Sequence, residues 1–330
     1  MRVGLIGAGA VGGVIAALLD RGGHDVEVTA RGANLAAIRA NGITLSGAWG
    51  DHVAHVAADQ LLTRAPELAI VTTKTLDADA AIRENADFLR GVPVVVIQNG
   101  IRGISAAREL LPHTDIIGGL ALFAASYLAP GTVAVTTTGS TYLGNGGRGL
   151  DVEYVASVLD PVMPIRTTRN FVGAQWTKLI VNQINALPAI TNLSAQDTIA
   201  HRRLRRVLTL SMREAVTVGL AAGVRFEKLQ GLSDGALRLF SRLPPSIGQL
   251  LPLIMKWRMG KIPNPGSTLQ SIRRGQLTEI DYLNGAIVDA ATTSGTVAPI
   301  NARLVELVHE VESAGAFLTP DGVVARTSPN

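Results

Sequence analysis

For roughly its first half the chain alternates short apolar runs with longer stretches of helical period, and beyond that only the helical period persists. Residues 2–6, 68–73 and 92–97 are largely apolar runs of strand length and read as strands, and 25–29, alternating about Val26 and Val28, reads as another. An Ala/Leu/Ile helix running to about Arg21 and another over residues 34–41, stopped by Gly42, separate the first of them. Residues 43–45 and 52–56 read as further strands. From Ile116 to Leu143 the helical period stops. Short strands there, with Pro130-Gly131 and Gly144-Asn145-Gly146-Gly147 as turns, predict an antiparallel extension closing the sheet. A helix over 150–159 and a strand near Ile165 complete this half. After residue 168 helices are expected over 175–185, 202–222, 267–293 and 301–313. Residues 230–265, rich in proline, read as irregular, and the last dozen residues as a tail.

A length of 330 residues fits two domains, placed at 1–168 and 169–330. With 47% hydrophobic and 17% charged residues the chain can bury large cores. It contains no cysteine, which excludes disulfides, thiolate metal sites and cysteine nucleophiles. His52 and His55 have metal-like spacing only on a helix. They lie on a strand with no third ligand near, so no metal site is expected. The net charge of +4 is a mild excess. The basic run from His201 to Arg206 opens a helix without interleaved aromatics and reads as a solvated face, so no nucleic-acid partner is expected. The longest uncharged apolar run, 116–141, is broken by glycines and a proline and reads as strands, which gives no membrane span. The opening MRVGLIGAGAVGG enters a strand at once, without a basic-then-apolar leader, and a cytoplasmic location is expected.

The first strand runs directly into Gly7-Ala8-Gly9-Ala10-Val11-Gly12 and then a helix. The first glycine permits the tight turn, the second lets backbone approach a pyrophosphate, and the third lets helix and strand pack closely. The helix N-terminus offers amides and positive dipole to the phosphates. With a strand before, a helix after and a second strand at the right distance, this is a dinucleotide-binding arrangement. The fold class is therefore an α/β Rossmann-type N-terminal domain followed by an all-α C-terminal domain. The end of the second strand selects the cofactor. Arg31 stands where an adenosine 2′-phosphate would lie and can bind it bidentately, while strand alternation turns Glu27 away, so NADPH is expected over NADH. Lys74 and Asn99 follow the carboxyl ends of strands, where ligands of open α/β sheets bind. In the second half Lys178, Asn182 and Asn185 have i, i+4, i+7 spacing on one apolar helix, a face able to grip a carbonyl and a carboxylate. Ser267 reads as the N-cap of the long helix to 293, with Glu279 inside that helix and Asp281 turned to solvent with Arg274. Residues 250–259 are apolar enough to bury against another surface, a second copy of the chain included, so a homodimer is one expected assembly.

Together, GAGAVGG, ARGANL after the second strand, TKTLD at Lys74, QNG at Asn99, WTKLIVN at Lys178 and NPGSTLQSIRRGQLTEIDYLNG from Asn264 resemble the ketopantoate reductase family, across nearly the whole chain. The resemblance implies NADPH-dependent reduction of a small-molecule 2-oxo acid, 2-dehydropantoate, to pantoate in pantothenate and coenzyme A synthesis, with the active site in a cleft between domains. It implies that Lys178 is the general acid, and that Glu279 binds the substrate's hydroxyl end and orders the lysine. Asn99 would touch nicotinamide and substrate, Lys74 the cofactor, and Asn182, Asn264 and Ser267 the substrate. The chain departs from the family at three places. The second asparagine after the lysine usually stands eight residues on, before a proline, whereas Asn185 comes one residue early. Ser271 replaces a common aspartate and Thr268 a common methionine.

Three alternatives are kept: a paralogue reducing another branched 2-oxo acid, an opine-type dehydrogenase, and a non-catalytic NADPH-binding regulator. The opine type would need a histidine-aspartate pair, and neither His201 nor His309 of the helical half stands beside an aspartate in the sequence. Retained Lys178 and Glu279 argue against the regulator.

Overall fold

A computed structural model describes residues 1–144, 152–260 and 262–327. The expected turn at Asn145–Gly147 and the expected helix start at Leu150 lie outside the described residues. The chain divides into two compact units, Met1–Phe171 and Val172–Asn330.

The strands of the first unit are β1 (Arg2–Ile6), β2 (Asp25–Thr29), β3 (Ile43–Gly47), β4 (His52–Ala54), β5 (Ala57–Asp59), β6 (Leu68–Val71), β7 (Val94–Ile97), β8 (Ile116–Ala121), β9 (Ala124–Ala129), β10 (Thr132–Thr137), β11 (Thr141–Gly144) and β12 (Ile165–Thr167). The main sheet has the order β12-β11-β8-β7-β6-β1-β2-β5. Its strands β8, β7, β6, β1, β2 and β5 are mutually parallel. β6 and β7 are buried at every residue, as strands covered on both faces must be, which is why they read as unbroken apolar runs. The chain goes from β1 outward to β2 and returns to β6 on the other side. The order reverses between β1 and β6, and the loops after these strands and after β7 are the ones that can face a ligand.

The region 116–143 differs from expectation. β8 joins β7 in parallel, and the antiparallel part of the main sheet is the edge pair β11 and β12, with β11 antiparallel to β8 and β12 parallel to β11. β9 and β10 leave it for a second sheet, β4-β3-β10-β9, in which β10 is parallel to β3. The reason is packing. Val133 and Val135 of β10 are buried over the helix Ala10–Arg21, where a Cβ at Gly13 would stand 2.8 Å from Val133. This second sheet covers the helix face left free by the first, so residues 12–19 are all buried.

The second unit is helical, and its one described β-type pairing is an isolated bridge between Leu229 and Leu232. The stretch expected to be irregular carries three helices, Asp234–Arg242, Pro245–Gly248 and Leu250–Met259. Ser233 Oγ caps the first by accepting from Ala236 N, and the prolines at 245 and 252 fall in first turns, where no amide hydrogen is needed. Leu250, Leu253, Ile254 and Trp257 leave an apolar face of the third helix exposed. The expected tail contains a helix, Pro320–Thr327, tied down by Arg326 on Glu310.

The long helix expected over 267–293 is two, Gly266–Arg273 and Ile280–Thr293. Gly275 has φ +61°, its N–H donates to Ile272 O, and Gln276 N–H donates to Ser271 O. This is a Schellman stop, and the apolar period simply resumes after it. Glu279 therefore precedes the second helix as its N-cap residue instead of lying inside a helix. Among the described residues no helix is long and apolar enough to cross a membrane.

Candidate active site

The glycine loop is shaped by contacts a side chain would break. Gly7 has φ +102°, and a Cβ there would lie 2.7 Å from Thr73 Cγ2. A Cβ on Gly12 would lie 2.1 Å from Gly7 O, while one on Gly9 would meet nothing within 4 Å. The loop is thus tight on its inner side and open at Gly9, as approach by a pyrophosphate requires. Gly7 N donates to Thr29 Oγ1 (3.1 Å) and Ala8 N to Thr29 O (3.0 Å). The helix from Ala10, which carries Val11 in its first turn, has no side-chain cap and no acidic residue there. Its N-terminal dipole is left for an anion. Thr73 Oγ1 and Gln98 Oε1 are buried without a hydrogen-bond partner among the described residues. Open backbone, an uncapped helix start and unsatisfied polar atoms beside the loop all fit a dinucleotide.

Arg31 is the N-cap residue of the helix after β2 and is exposed, with Nη2 2.5 Å from Glu84 Oε2. Glu27 is buried and accepts from Thr63 N (2.8 Å) and Thr63 Oγ1 (2.6 Å), which removes it as a ribose acceptor. Lys74 is the N-cap residue of the helix Thr75–Glu84, and Asn99 precedes Gly100, which has φ +81°. Gln98 Nε2 donates to Thr73 O (3.0 Å) and Thr75 Oγ1 to Asn99 O (3.4 Å), so the two loops are laced together. Asn34, quoted above only as part of a motif, proves to be a strut. Its Nδ2 donates to Ala8 O (2.8 Å), and its Oδ1 accepts from Gly131 N (2.9 Å) and Tyr127 Oη (3.1 Å). It ties the glycine loop to the β9–β10 turn.

In the second unit Lys178 sits on the helix Phe171–Asn182, which is buried along most of its length. Burial lowers its pKa from the usual 10.5 to about 8, and the negative charge of Glu279 works in the opposite sense. The two candidates from distant parts of the sequence are thus close enough to interact. Asn182 ends the α-helix one turn beyond Lys178. The single α-helix expected over 175–185 changes after it to a 3₁₀ turn, Gln183–Asn185, so Asn185 leaves regular α geometry. Asn185 is buried against Gly266, where a Cβ would lie 2.6 Å from its Oδ1. Asn264 lies two residues before Gly266 and Ser267 one after. Asn264 is held on three sides. Its N donates to Gln196 Oε1 (2.9 Å), its O accepts from Ala195 N (2.8 Å), and its Oδ1 accepts from Gly266 N (2.9 Å). The expected cap at Ser267 is corrected by this contact: Asn264 takes the helix's leading amide, Pro265 is the N-cap residue, and Ser267 is exposed in the first turn.

A buried polar network holds the 3₁₀ turn. Gln183 Oε1 accepts from Ser211 Oγ (2.9 Å) and Asn284 Nδ2 (2.8 Å), and Asn284 Nδ2 also donates to Asn301 Oδ1 (3.0 Å). Asn301 Nδ2 in turn donates to Glu214 (2.7 Å). The sequence carried one signal of it, a polar Asn284 among the apolar positions of its helix.

The expectation that neither helical-half histidine stands beside an aspartate is corrected. His309 stands between two carboxylates, Nε2 2.9 Å from Asp281 and Nδ1 2.7 Å from Glu312. Asp281 was expected to turn to solvent with Arg274. The pairing escaped the sequence because 28 residues separate the partners. Both ring nitrogens are engaged and the side chain is half exposed, so neither faces a substrate as an opine-type base would. His201 Nδ1 accepts from Leu204 N and caps a helix. Among the described residues no three His, Cys, Asp or Glu side chains converge as a metal site.

Two family models match in tandem. One, described as ketopantoate reductase PanE/ApbA, covers residues 3–148, and the other, its C-terminal counterpart, covers 170–312. The chain belongs to the ketopantoate reductase family. A 2-dehydropantoate 2-reductase of Pyrococcus horikoshii is 29% identical over 319 residues, covering 96% of this chain and 99% of that protein. A PanE/ApbA family ketopantoate reductase from Ralstonia eutropha JMP134 superposes with a TM-score of 0.80 at 28% identity, covering 95% and 99% of the two chains. A D-mandelate dehydrogenase solved with NADH and anilino(oxo)acetate reaches the same TM-score at 20% identity, with 95% and 99% covered, which shows a shared fold.

Proposed function

We propose that this ketopantoate reductase family member reduces 2-dehydropantoate to pantoate with NADPH. The observation that carries the reading is Lys178, a partly buried ammonium on a buried helix, with a pKa lowered to about 8 and the Glu279 carboxylate within electrostatic reach. Such a group is still protonated at neutral pH yet acidic enough to give its proton up. When bound, NADPH supplies the hydride to the ketone carbon. Lys178 Nζ hydrogen-bonds the ketone oxygen, stabilises the charge that grows on it and donates the proton, then regains one from water. Glu279 holds the lysine charged and accepts from the substrate's hydroxyl. Asn182, Asn185, Asn264 and Ser267 bind the carboxylate and hydroxyl groups. Gly7 to Gly12 hold the pyrophosphate, Arg31 the 2′-phosphate, and Lys74 and Asn99 the rest of the cofactor. On this reading unit Met1–Phe171 is the NADP-binding domain and unit Val172–Asn330 the substrate domain. Cytoplasmic residence and a homodimer built on the second unit belong to the same reading.

A branched 2-oxo acid other than 2-dehydropantoate is the second reading. Thr268 and Ser271, both buried, replace the family's methionine and aspartate, and Thr268 Oγ1 has no partner among the described residues. One panel of 2-oxo acids assayed with NADPH and with NADH tests both readings. The first expects 2-dehydropantoate with NADPH to give the highest kcat/KM, with activity abolished in Lys178→Ala. No turnover of any branched 2-oxo acid would defeat both.

A further inference from the structure

Glu279 stands between two residues whose backbone is pinned. It follows an exposed link, 273–277, with Leu277 68% exposed, and no helix supports it from the N-terminal side. The chain becomes buried again at Thr278, 5% exposed, and Ile280, 0% exposed. What holds Thr278 is Glu312 of the helix Pro299–Ala314. Glu312 Oε1 accepts from Thr278 N at 2.8 Å, and the Thr278 hydroxyl bonds the same carboxylate. Thr278 Oγ1 also accepts from Ile280 N at 3.2 Å, so one clamp fixes the backbone on both sides of Glu279. The second oxygen of Glu312 is taken by His309 Nδ1, and His309 Nε2 reaches across to Asp281 on the helix that Glu279 begins. The clamp is therefore closed from two directions, by Thr278 and through His309 by Asp281.

We propose that Glu312 is a positioning residue of the reduction, holding Thr278 so that the Glu279 carboxylate stays beside Lys178. The inference rests on the roles given above to Lys178 and Glu279. Burial by itself would raise the Glu312 pKa, but its hydrogen bonds from Thr278 and His309 outweigh this and lower it, so the clamp is a carboxylate at neutral pH. The charged groups facing it are His309 of its own helix and, beyond that ring, Asp281; the charge of Glu279 acts on Lys178. Releasing the clamp lets Glu279 move off, withdraws the charge that favours the Lys178 ammonium, and makes the lysine lose its proton at lower pH.

The test is the pH profile of kcat/KM for the 2-oxo acid in the full chain, for wild type, Glu312→Gln, Glu312→Ala and Glu279→Gln. Glu312→Ala is expected to move the alkaline limb down by about half a pH unit or more. It should also lower kcat several-fold at about pH 8, with the KM for NADPH within about twofold of wild type. Glu312→Gln, which keeps an acceptor for Thr278 N–H, should shift the limb less and in the same direction. It alone decides the matter if the alanine variant does not fold. Unmoved limbs in the Glu312 variants, with only a lower melting temperature, overturn the inference when Glu279→Gln does shift the limb. An unmoved limb in Glu279→Gln as well overturns the Lys178–Glu279 reading together with it.

Discussion

The pKa of Lys178 fixes a pH dependence that can be worked through in numbers. The fall from 10.5 to about 8 is caused first by burial and is opposed by Glu279. At about 1.36 kcal/mol per unit, this corresponds to roughly 3 kcal/mol against the charged form. A group titrating near 8 is about 90% protonated at pH 7 and about 10% at pH 9, whereas a lysine at its usual value would remain over about 95% protonated at both. The proton donor is the charged form, so the sign is a loss of activity with rising pH. Initial-rate kcat/KM for 2-dehydropantoate, at saturating NADPH, should be level below about pH 7.5 and fall close to tenfold per unit above about pH 8.5. Glu279→Gln removes the influence that raises the pKa, so its limb should lie at lower pH. Lys178→Met should lose about 10²–10⁴-fold in kcat and lose the limb. A profile level to pH 9.5 in the wild type would refute the reasoning, as would an unchanged limb in a Lys178→Met enzyme that still turns over.

Arg31→Ala should raise the KM for NADPH about tenfold or more while leaving NADH nearly unchanged, read from paired cofactor titrations. Glu84→Gln frees Arg31 from an exposed ion pair of the kind worth about 0–1 kcal/mol, so the KM for NADPH should fall by no more than about fivefold. Gly12→Ala drives a Cβ against Gly7 O and Thr72 Oγ1, at 2.1 and 2.4 Å, and should cost about 1–3 kcal/mol of stability by denaturant melts and weaken NADPH binding by fluorescence titration. Gly266→Ala strains a residue at φ +73° and pushes on Asn185 Oδ1; the KM for the 2-oxo acid should rise and that for NADPH should not.

The parts of the fold visible in the sequence are those set by local chemistry. β6 and β7 are continuous apolar runs, and β1 is one after Arg2, because both faces are covered, and the glycine loop is legible because each glycine answers a separate steric demand. The parts that were hidden depend on partners far along the chain. β9 and β10 have ordinary strand composition, and only packing over Gly13 sends them to a second sheet. The Gly275 stop sits in a stretch whose apolar period runs straight through it, so one glycine had to outweigh the periodicity. His309 and Asp281 are neighbours only because two helices bring them together. In the candidate site the sequence brought out the face of Lys178 and Asn182. Asn34 as a strut was not legible there, and of the network under Gln183 the one trace was the polar Asn284 on its apolar helix face.

That network bears on the one-residue displacement of Asn185. On a regular α-helix, with about 100° and 1.5 Å per residue, a group eight residues past Lys178 stands about 80° round and 12 Å along, while one seven past stands about −20° round and 10.5 Å along. Here four α steps lead to Asn182 and three 3₁₀ steps, each about 120° and 2.0 Å, lead to Asn185. The sum is about 40° and 12 Å, which restores the full axial advance and more than half the rotation. A tighter turn thus gives a seven-residue spacing most of the reach of an eight-residue one. Short 3₁₀ runs have poorer hydrogen bonds than α-helix and need support. Gln183, inside this turn, receives Ser211 and Asn284 in a fully buried position. The buried amide of Gln183 pins the 3₁₀ turn, and with it Asn185 gains an axial advance equal to that of eight α-helical residues past Lys178.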